Sequence, residues 1–437
     1  MQHLISFLFI TEFFLLLIFF MFNLLKRDFT FKLGICFGLL FFVFLPLWVM
    51  IFSGEIKLAI SGFGNTGIKN VIMKNNIQSS IVLILFIFSI ILYLYLPQLK
   101  IKENLNNKFK PLISSYIISY IIGMGIIFIG SGLLKGGNWY DNRHNFFESS
   151  GSLAVLVAFV LNSSKILIIA SLFYKWLNKD YGVYKFFTYV FSFVILDMFF
   201  TGNRIYLFCA AITVGLIFLK RFPKRMFNLS PIILPVVFFL GYFASIFKHM
   251  RGPLFEQGIP TFSVFVASLL RAISLEPPKV SMFFLEISES INMNVLYLIF
   301  NSYDKFLYGS TYLKPLFFYL PRSIWTSKPE SITTLAAKEF GGASLVTTII
   351  GEMYMNFYLF GIILTPIFLL IMDYLFTKLL KNFGAISGII LFIFGVLIFR
   401  MPFSDEFLVF IFLWIILVIT SWLNKYKFKY KSLDEVN

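Results

Sequence analysis

The sequence predicts an all-α integral membrane protein with about eleven transmembrane helices (ten to twelve) and one large loop on the non-cytoplasmic side. Three observations carry that prediction. Hydrophobic residues make up 59% of the 437 residues and charged residues only 13%, with a mean hydropathy of +0.86, a balance soluble globular domains do not reach. Apolar runs follow one another nearly end to end, interrupted by a single long polar-and-aromatic stretch at 248–351. Basic residues gather in short clusters at every second connection, the positive-inside pattern, which explains the formal charge of +16 without nucleic acid as a partner. The two cysteines, Cys36 and Cys209, both sit in apolar runs, so neither a disulfide framework nor a cysteine-based metal site is expected.

A spanning helix needs about 20 mainly apolar residues. The first run, 3–25, has no basic n-region and no small-residue cleavage site, so it reads as a transmembrane helix and not as a removable signal. The next candidates are 31–52, 79–97, 112–134 and 151–174. Two short runs, 185–201 and 203–219, meet at Thr201-Gly202-Asn203-Arg204, and 231–247 follows. Beyond the loop come 352–376, 385–401 and 406–423. The chain therefore divides into an N-terminal transmembrane bundle of about eight helices (1–247), a large periplasmic loop (248–351), C-terminal transmembrane helices (352–423) and a cytoplasmic tail (424–437). The orientation comes from clusters such as Lys26, Arg27 and Lys32, Lys100 to Lys110, and Lys425 to Lys431, which belong in the cytoplasm. Within the loop, 261–275 and 294–300 are apolar but too short or too interrupted to span, which predicts amphipathic lid or rim helices. There is no internal repeat, so the inverted-repeat signature of secondary transporters is not visible.

The arginines sort by side. Arg27, Arg221 and Arg225 lie in cytoplasmic clusters, whereas Arg143, Arg204, Arg251, Arg271, Arg322 and Arg400 fall on or near the external side, where positive-inside statistics disfavour them. A guanidinium stays charged when partly buried and grips phosphate in bidentate fashion, so external arginines at helix ends suggest an anion such as a lipid pyrophosphate. Snorkelling to headgroups would place single arginines there too. Arg204 opens a span and Arg400 closes one; Arg322 and Lys328 sit in a run stiffened by Pro321 and Pro329, and Arg251 follows the eighth span. The external carboxylates include Glu256, Glu339 and Glu352, and the external histidine near them is His249. Glu352 opens an apolar helix, where a buried acid needs a partner or a role, although the helix dipole also favours an acid in a first turn. His249 lies between Lys248 and Arg251, cations that favour a neutral imidazole able to accept a proton. Asp197 and Asp373 lie within or near spans and are expected to pair with neighbouring helices. No cluster has metal-ligand spacing and no phosphate-binding glycine loop occurs, so neither a metal nor another cofactor is expected. External aromatics including Tyr319 and Trp325 could stack on sugar rings, although interfacial belts enrich the same residue types.

The segments Tyr308-Gly309-Ser310 to Pro315, Pro321-Arg322, Lys328-Pro329, and Gly351-Glu352-Met353-Tyr354-Met355-Asn356-Phe357 followed by Gly361 together resemble the oligosaccharide repeat-unit polymerases of bacterial surface polysaccharides, the Wzy type. The Thr201-Gly202-Asn203-Arg204 turn and the arginine of Phe399-Arg400-Met401-Pro402 are similar to that family as well. The motifs cover about 55 residues, and the layout of spans around one major external loop covers the whole chain. The resemblance implies a multispan lipid-sugar glycosyltransferase fold of the GT-C type in the bacterial inner membrane, with its active site facing the periplasm. Such an enzyme is a metal-independent inverting glycosyltransferase. It moves a growing glycan from undecaprenyl pyrophosphate to the non-reducing end of an undecaprenyl-pyrophosphate-linked repeat unit, in the synthesis of O-antigen, capsule or common antigen. Donor, acceptor and membrane lipid are then its partners, with a chain-length regulator of the Wzz type among them.

That chemistry needs fixed cations for the leaving pyrophosphate and a base for the acceptor hydroxyl. Arg204, Arg251, Arg322, Lys328 and Arg400 are the expected pyrophosphate-binding residues; Glu352, His249 and Glu339 are the candidate catalytic residues; Tyr319, Trp325 and Tyr354 are the candidate sugar-binding residues. An O-antigen ligase shares the topology and the leaving group, and a flippase or transporter of lipid-linked glycans would also use external arginines and aromatics. A flippase should show polar residues through the midplanes of several helices, which here read as almost pure Phe, Ile and Leu.

Overall fold

In the computed structural model the described residues are 2–26, 29–53, 76–97, 109–132, 151–202, 204–221, 241–243, 261–274, 291–318, 330–339 and 347–434, with short pieces at 138–139, 142–143, 145–146, 246–247, 249–250, 252–254, 256, 284, 320 and 324–325. They are helical, with no strand among them. Eight of their helices are long and apolar enough to cross a membrane: the spans are His3–Leu24, Phe31–Val49, Ile77–Tyr95, Ile113–Gly130, Ala154–Leu177, Val183–Thr201, Phe360–Phe383 and Phe403–Asn424. The chain is a multi-pass membrane protein.

The differences from about eleven spans have local causes. The run at 203–219 is a helix, Ile205–Arg221, of 17 residues, and the run at 385–401 forms a helix, Ala385–Leu397, of 13. Most of the run at 231–247 lies outside the described residues. The run at 352–376 is two helices: Ile349–Phe357 stops where Tyr358 takes φ 54°, and Phe360–Leu380 begins again. A left-handed backbone at a non-glycine residue cannot continue a right-handed helix, so the apolar composition of the junction hid a break.

By contact the chain forms two compact units. The first combines Met1–Ile101, Pro278–Lys378 and Leu391–Phe407; the second combines Lys102–Pro277, Leu379–Ile390 and Leu408–Asn437. The helices are numbered here in chain order: α1 Gln2–Lys26; α2, running from Phe31–Leu39 through a π-helical turn at Leu40–Phe44 into Leu45–Ser53; α3 Asn76–Tyr95; α4 Ile113–Gly130; α5 Gly151–Leu177; α6 Val183–Thr201; α7 Ile205–Arg221; α8 Phe262–Ser274; α9 Ile291–Ser302; α10 Ser310–Leu313; α11 Ile332–Glu339; α12 Ile349–Phe357; α13 Phe360–Leu380; α14 Ala385–Leu397; and α15 Phe403–Asp434.

In the first unit α1 packs on α2 and α3. The π-turn in α2 precedes Pro46, whose ring lacks an N–H and crowds the carbonyl one turn back; the wider turn, closed by Leu45 N–H to the Leu40 carbonyl, relieves that crowding. Residues Gly34 of α2 and Gly395 of α14 let two backbones touch: a Cβ on Gly34 would lie 2.2 Å from the Phe392 carbonyl oxygen, and one on Gly395 2.4 Å from that of Phe31. Lys32, expected among solvated cytoplasmic cations, is buried, and its ammonium donates to the carbonyls of Tyr93, Leu94 and Leu96, capping the C-terminus of α3. Asp373 accepts from the Tyr93 hydroxyl at 3.1 Å. Helix α9 is not a rim element. Met293, Leu296 and Ile299 are fully buried, and the helix packs on α3 and α12, tied by Ser79 to Asn301 (2.6 Å) and Ser80 to Tyr297 (3.1 Å). Its apolar face is wide enough for core packing, which a seven-residue reading at 294–300 underestimated.

In the second unit α5 is the central helix, packing on α4, α6 and α7. Ser163 of α5 donates to the Val409 carbonyl at 2.8 Å, and Phe159 stacks on Phe412. Helix α8 forms as expected at 261–275, strongly one-sided, with Phe262, Leu270 and Ile273 exposed.

Candidate functional site

The segment carrying most of the sequence motifs folds around α12. After α9 the chain turns back through residues 303–310, using left-handed backbone at Tyr308 (φ 47°) and Gly309 (φ 76°), and the Leu307 N–H reaches the Met355 carbonyl of α12 at 3.1 Å. Helix α12 therefore has two differently dressed sides.

On one side is an aromatic cleft of about 560 Å³. Its walls include Tyr303, Phe306, Tyr354 and Tyr358, and its mouth carries Asn301, Asp304 and Lys305. Asp304, Lys305 and Tyr358 are exposed, whereas Tyr354 is buried at 3% exposure behind them: its ring packs on Phe300 (4.9 Å between centroids) and Tyr358 (4.8 Å), and its hydroxyl donates to the Phe300 carbonyl. Fixed aromatic faces beside a carboxylate, an ammonium and an amide offer stacking surface plus directional hydrogen bonds, the pairing a polyhydroxylated ring needs.

On the other side lies Glu352, fully buried at 0% exposure. Its Oε1 accepts from the Thr311 hydroxyl at 3.0 Å and its Oε2 from the Ser404 N–H at 3.2 Å. Asn356 donates to both the Thr311 hydroxyl and the Glu352 carbonyl, each at 2.8 Å. Burial pushes the Glu352 carboxyl up to about 7, against the opposing pull of the Ser404 and Thr311 hydrogen bonds, with the Asp405 charge adding to the rise. Tyr312 packs among Phe357, Phe368 and Phe403, and burial together with the charge of Glu352 raises its phenol. The first turn of α15 supplies Asp405, paired with Lys314 at 2.9 Å, and Glu406, which is buried with neither carboxylate oxygen meeting a hydrogen-bond donor of the described residues. Two carboxylates in that turn complement the helix dipole. Arg400 lies half-buried in the turn that leads into it.

The structure thus brings Glu352, Arg400 and Tyr354 into one unit, but Glu352 does not line the cleft that Tyr354 lines. As placed, Glu352 joins the loop at Thr311 to the start of α15. Trp325 is half-buried and edge-on to Phe317 at 5.6 Å. Glu339 ends α11, and its side chain is outside the described residues, as are Arg251, Arg322, Lys328 and Tyr319. Arg204 and His249 belong to the second unit: Arg204 is half-buried just after the left-handed Gly202 that ends α6, and His249 is exposed. Sequence reading passed over Asp304 and Lys305, which looked like ordinary loop charges, and the anchors Thr311, Asn356 and Ser404, whose roles depend on tertiary neighbours.

A second departure lies inside the spans. Lys165 of α5 and Asp197 of α6 form a buried ion pair at 2.8 Å, so the midplanes are not purely apolar. A lone lysine in a spanning run was a legible signal.

Fold and site together define a multi-pass helical membrane protein with an aromatic, polar-rimmed cleft at the end of a buried helix. The chain matches no known family model, no curated protein and no solved structure.

Proposed function

We propose that the protein polymerises lipid-linked oligosaccharide repeat units at the periplasmic face of the bacterial inner membrane, as a metal-independent inverting glycosyltransferase. The observation that carries the reading is the aromatic cleft that includes Tyr354, whose segment Gly351 to Phe357 is one of those that resemble the repeat-unit polymerases. Tyr358 and Phe306, exposed and backed by the buried Tyr354, would stack on sugar, and Asp304 and Lys305 would bond its hydroxyls. Arg400, Arg204, Arg251, Arg322 and Lys328 are the cations proposed for the pyrophosphate, and charge counting supports an external site for them. Glu352 serves in this reading as a positioning residue, because its carboxylate is enclosed by Thr311 and Ser404.

A flippase of lipid-linked glycans is the second reading, favoured by the Lys165–Asp197 pair within the spans. One gel separates these readings. Surface polysaccharide is profiled from cells lacking the gene and from cells carrying it on a plasmid, in wild-type and Tyr354→Ala forms. Polymerase activity predicts a single repeat unit on the lipid acceptor without the gene, a restored ladder with wild type, and a shortened or absent ladder with Tyr354→Ala. Loss of even the single unit, with lipid-linked repeats held on the cytoplasmic side, would establish a flippase. Polymer accumulating on its carrier lipid would establish a ligase.

A further inference from the structure

We propose that the buried oxygens around Glu352 and Glu406, all within the first unit, bind an alkali cation that fastens α10, α12 and the start of α15 to one another. Two acids come together there: Glu352 is 0% exposed, Glu406 is 3% exposed, and the charge of Glu352 acts on Glu406. Among the described residues no lysine or arginine forms an ion pair with either acid. The neighbouring Asp405 is already engaged by Lys314 at 2.9 Å.

Protonation alone would let two acids share a space, but further oxygens are left over beside them. Asn356, 1% exposed, donates through Nδ2 to the Thr311 hydroxyl and the Glu352 carbonyl, while its Oδ1 meets no hydrogen-bond partner. The Tyr312 hydroxyl, on which the Glu352 charge also acts, has none, and both oxygens of Glu406 lack one. Four oxygens from α10, α12 and α15 are thus buried without a hydrogen bond, even to one another. Such orphans are costly in an interior, and an ion satisfies several at once by lying between oxygens that do not bond each other. A phenol, an amide carbonyl and carboxylates are hard donors, the ligand type of alkali and alkaline-earth cations. With Asp405 compensated by Lys314, one proton shared by the two acids leaves a single negative charge, which a monovalent ion neutralises. A divalent ion would shed more hydration for a site in which no group of three metal-binding side chains occurs among the described residues. The ligands come from positions as distant as 312, 356 and 406, so no spacing in the sequence announces them. The ion takes no part in bond making, and the inference does not rest on the polymerase reading.

The test uses the full chain purified in nonionic detergent. Thermal midpoints are compared in sodium, potassium and caesium chloride at equal ionic strength, and binding of radiolabelled sodium is measured at equilibrium. Sodium should raise the midpoint above that in caesium, by an amount that grows with the logarithm of its concentration. Glu406→Gln should weaken sodium binding about tenfold, and Tyr312→Phe, which keeps the ring and its packing, about threefold. Asp405→Asn, in the same helical turn, should leave the sodium response as it is in the wild type. Because each variant is read as its own difference between salts, a change in its overall stability does not enter. Equal stabilisation by potassium would support an alkali site without size selection. Equal midpoints in all three salts, a larger rise with calcium than with sodium, or an undiminished sodium response in both Glu406→Gln and Tyr312→Phe would overturn the proposal, as would loss of the response in Asp405→Asn.

Discussion

The two units bury charge in opposite ways. In the first, Glu352 is surrounded by a hydroxyl and a backbone N–H, and Glu406 is buried in the same helix-end region. In the second, Asp197 is paired with a full ammonium and a phenol, and a guanidinium shares the adjoining cavity. Burial pushes the Glu352 carboxyl toward its protonated form, and the Thr311 and Ser404 hydrogen bonds offset only part of that rise, whereas Asp197 has an ammonium 2.8 Å away. The first arrangement thus meets a buried acid with dipoles alone. The second compensates one with a full opposite charge.

The contrast breaks most sharply at Lys165. Removing the ammonium alone, as Lys165→Met, strands Asp197 in a low-dielectric interior and should cost about 3–5 kcal/mol. Thermal unfolding in detergent should show a large fall in the midpoint, with Lys165→Met/Asp197→Leu recovering most of it. If the single and double variants melt alike, the pair is not the source of the effect.

At Glu352 the comparison is sharpened by pH. The carboxyl titrates at about 7 in the folded chain against 4.5 for its ordinary value. Between those values the folded state holds a proton that the unfolded state releases, so the contribution is full below about 4.5 and is lost as pH rises to about 7. The difference corresponds to about 3 kcal/mol. Glu352→Gln keeps the shape and cannot ionise, so its thermal midpoint should vary less between pH 5 and 8 than that of the wild type. An unchanged slope would mean that another group sets it.

Tyr120→Phe removes one hydrogen bond to a charged acceptor while leaving the ring, and about 1.5–3 kcal/mol is expected for such a bond. The loss should be smaller than at Lys165, because the ammonium still compensates Asp197. Unfolding of Tyr120→Phe beside Lys165→Met measures that order directly.

Much of this architecture was legible in the sequence, and the failures share a cause. Long apolar runs such as those at 3–25 and 151–174 reported spanning helices because composition over about 20 residues is what a membrane reads. The break at Tyr358 was hidden because it is made by backbone conformation at a residue of ordinary composition. The burial of α9 was hidden because a short apolar stretch looks the same on a membrane surface and in a core. Among the candidate residues, Tyr354, Glu352 and Arg400 stand out by type and position and share one unit, but the turn of α12 that sends Glu352 and Tyr354 to different surroundings is a property of the fold. Asp197 was expected to find a partner on another helix, and Lys165, which supplies it, lay unremarked in the middle of a long apolar run.

The smallest effect is expected where charge meets water. Lys314 and Asp405 form a 2.9 Å pair with side chains 17% and 21% exposed, so solvent screens part of their attraction. Asp405 also occupies the first turn of α15, where the helix dipole favours an acid whether or not Lys314 is present. Lys314→Met should therefore cost about 1 kcal/mol or less, and raised salt should narrow the gap from wild type further. Its second consequence is electrostatic. Without Lys314 the Asp405 charge is less compensated, so it acts more strongly on Glu352 and should move the pH midpoint of stability upward. An unmoved midpoint would separate Asp405 from Glu352 electrostatically and leave burial and the Thr311 and Ser404 hydrogen bonds to set the Glu352 carboxyl.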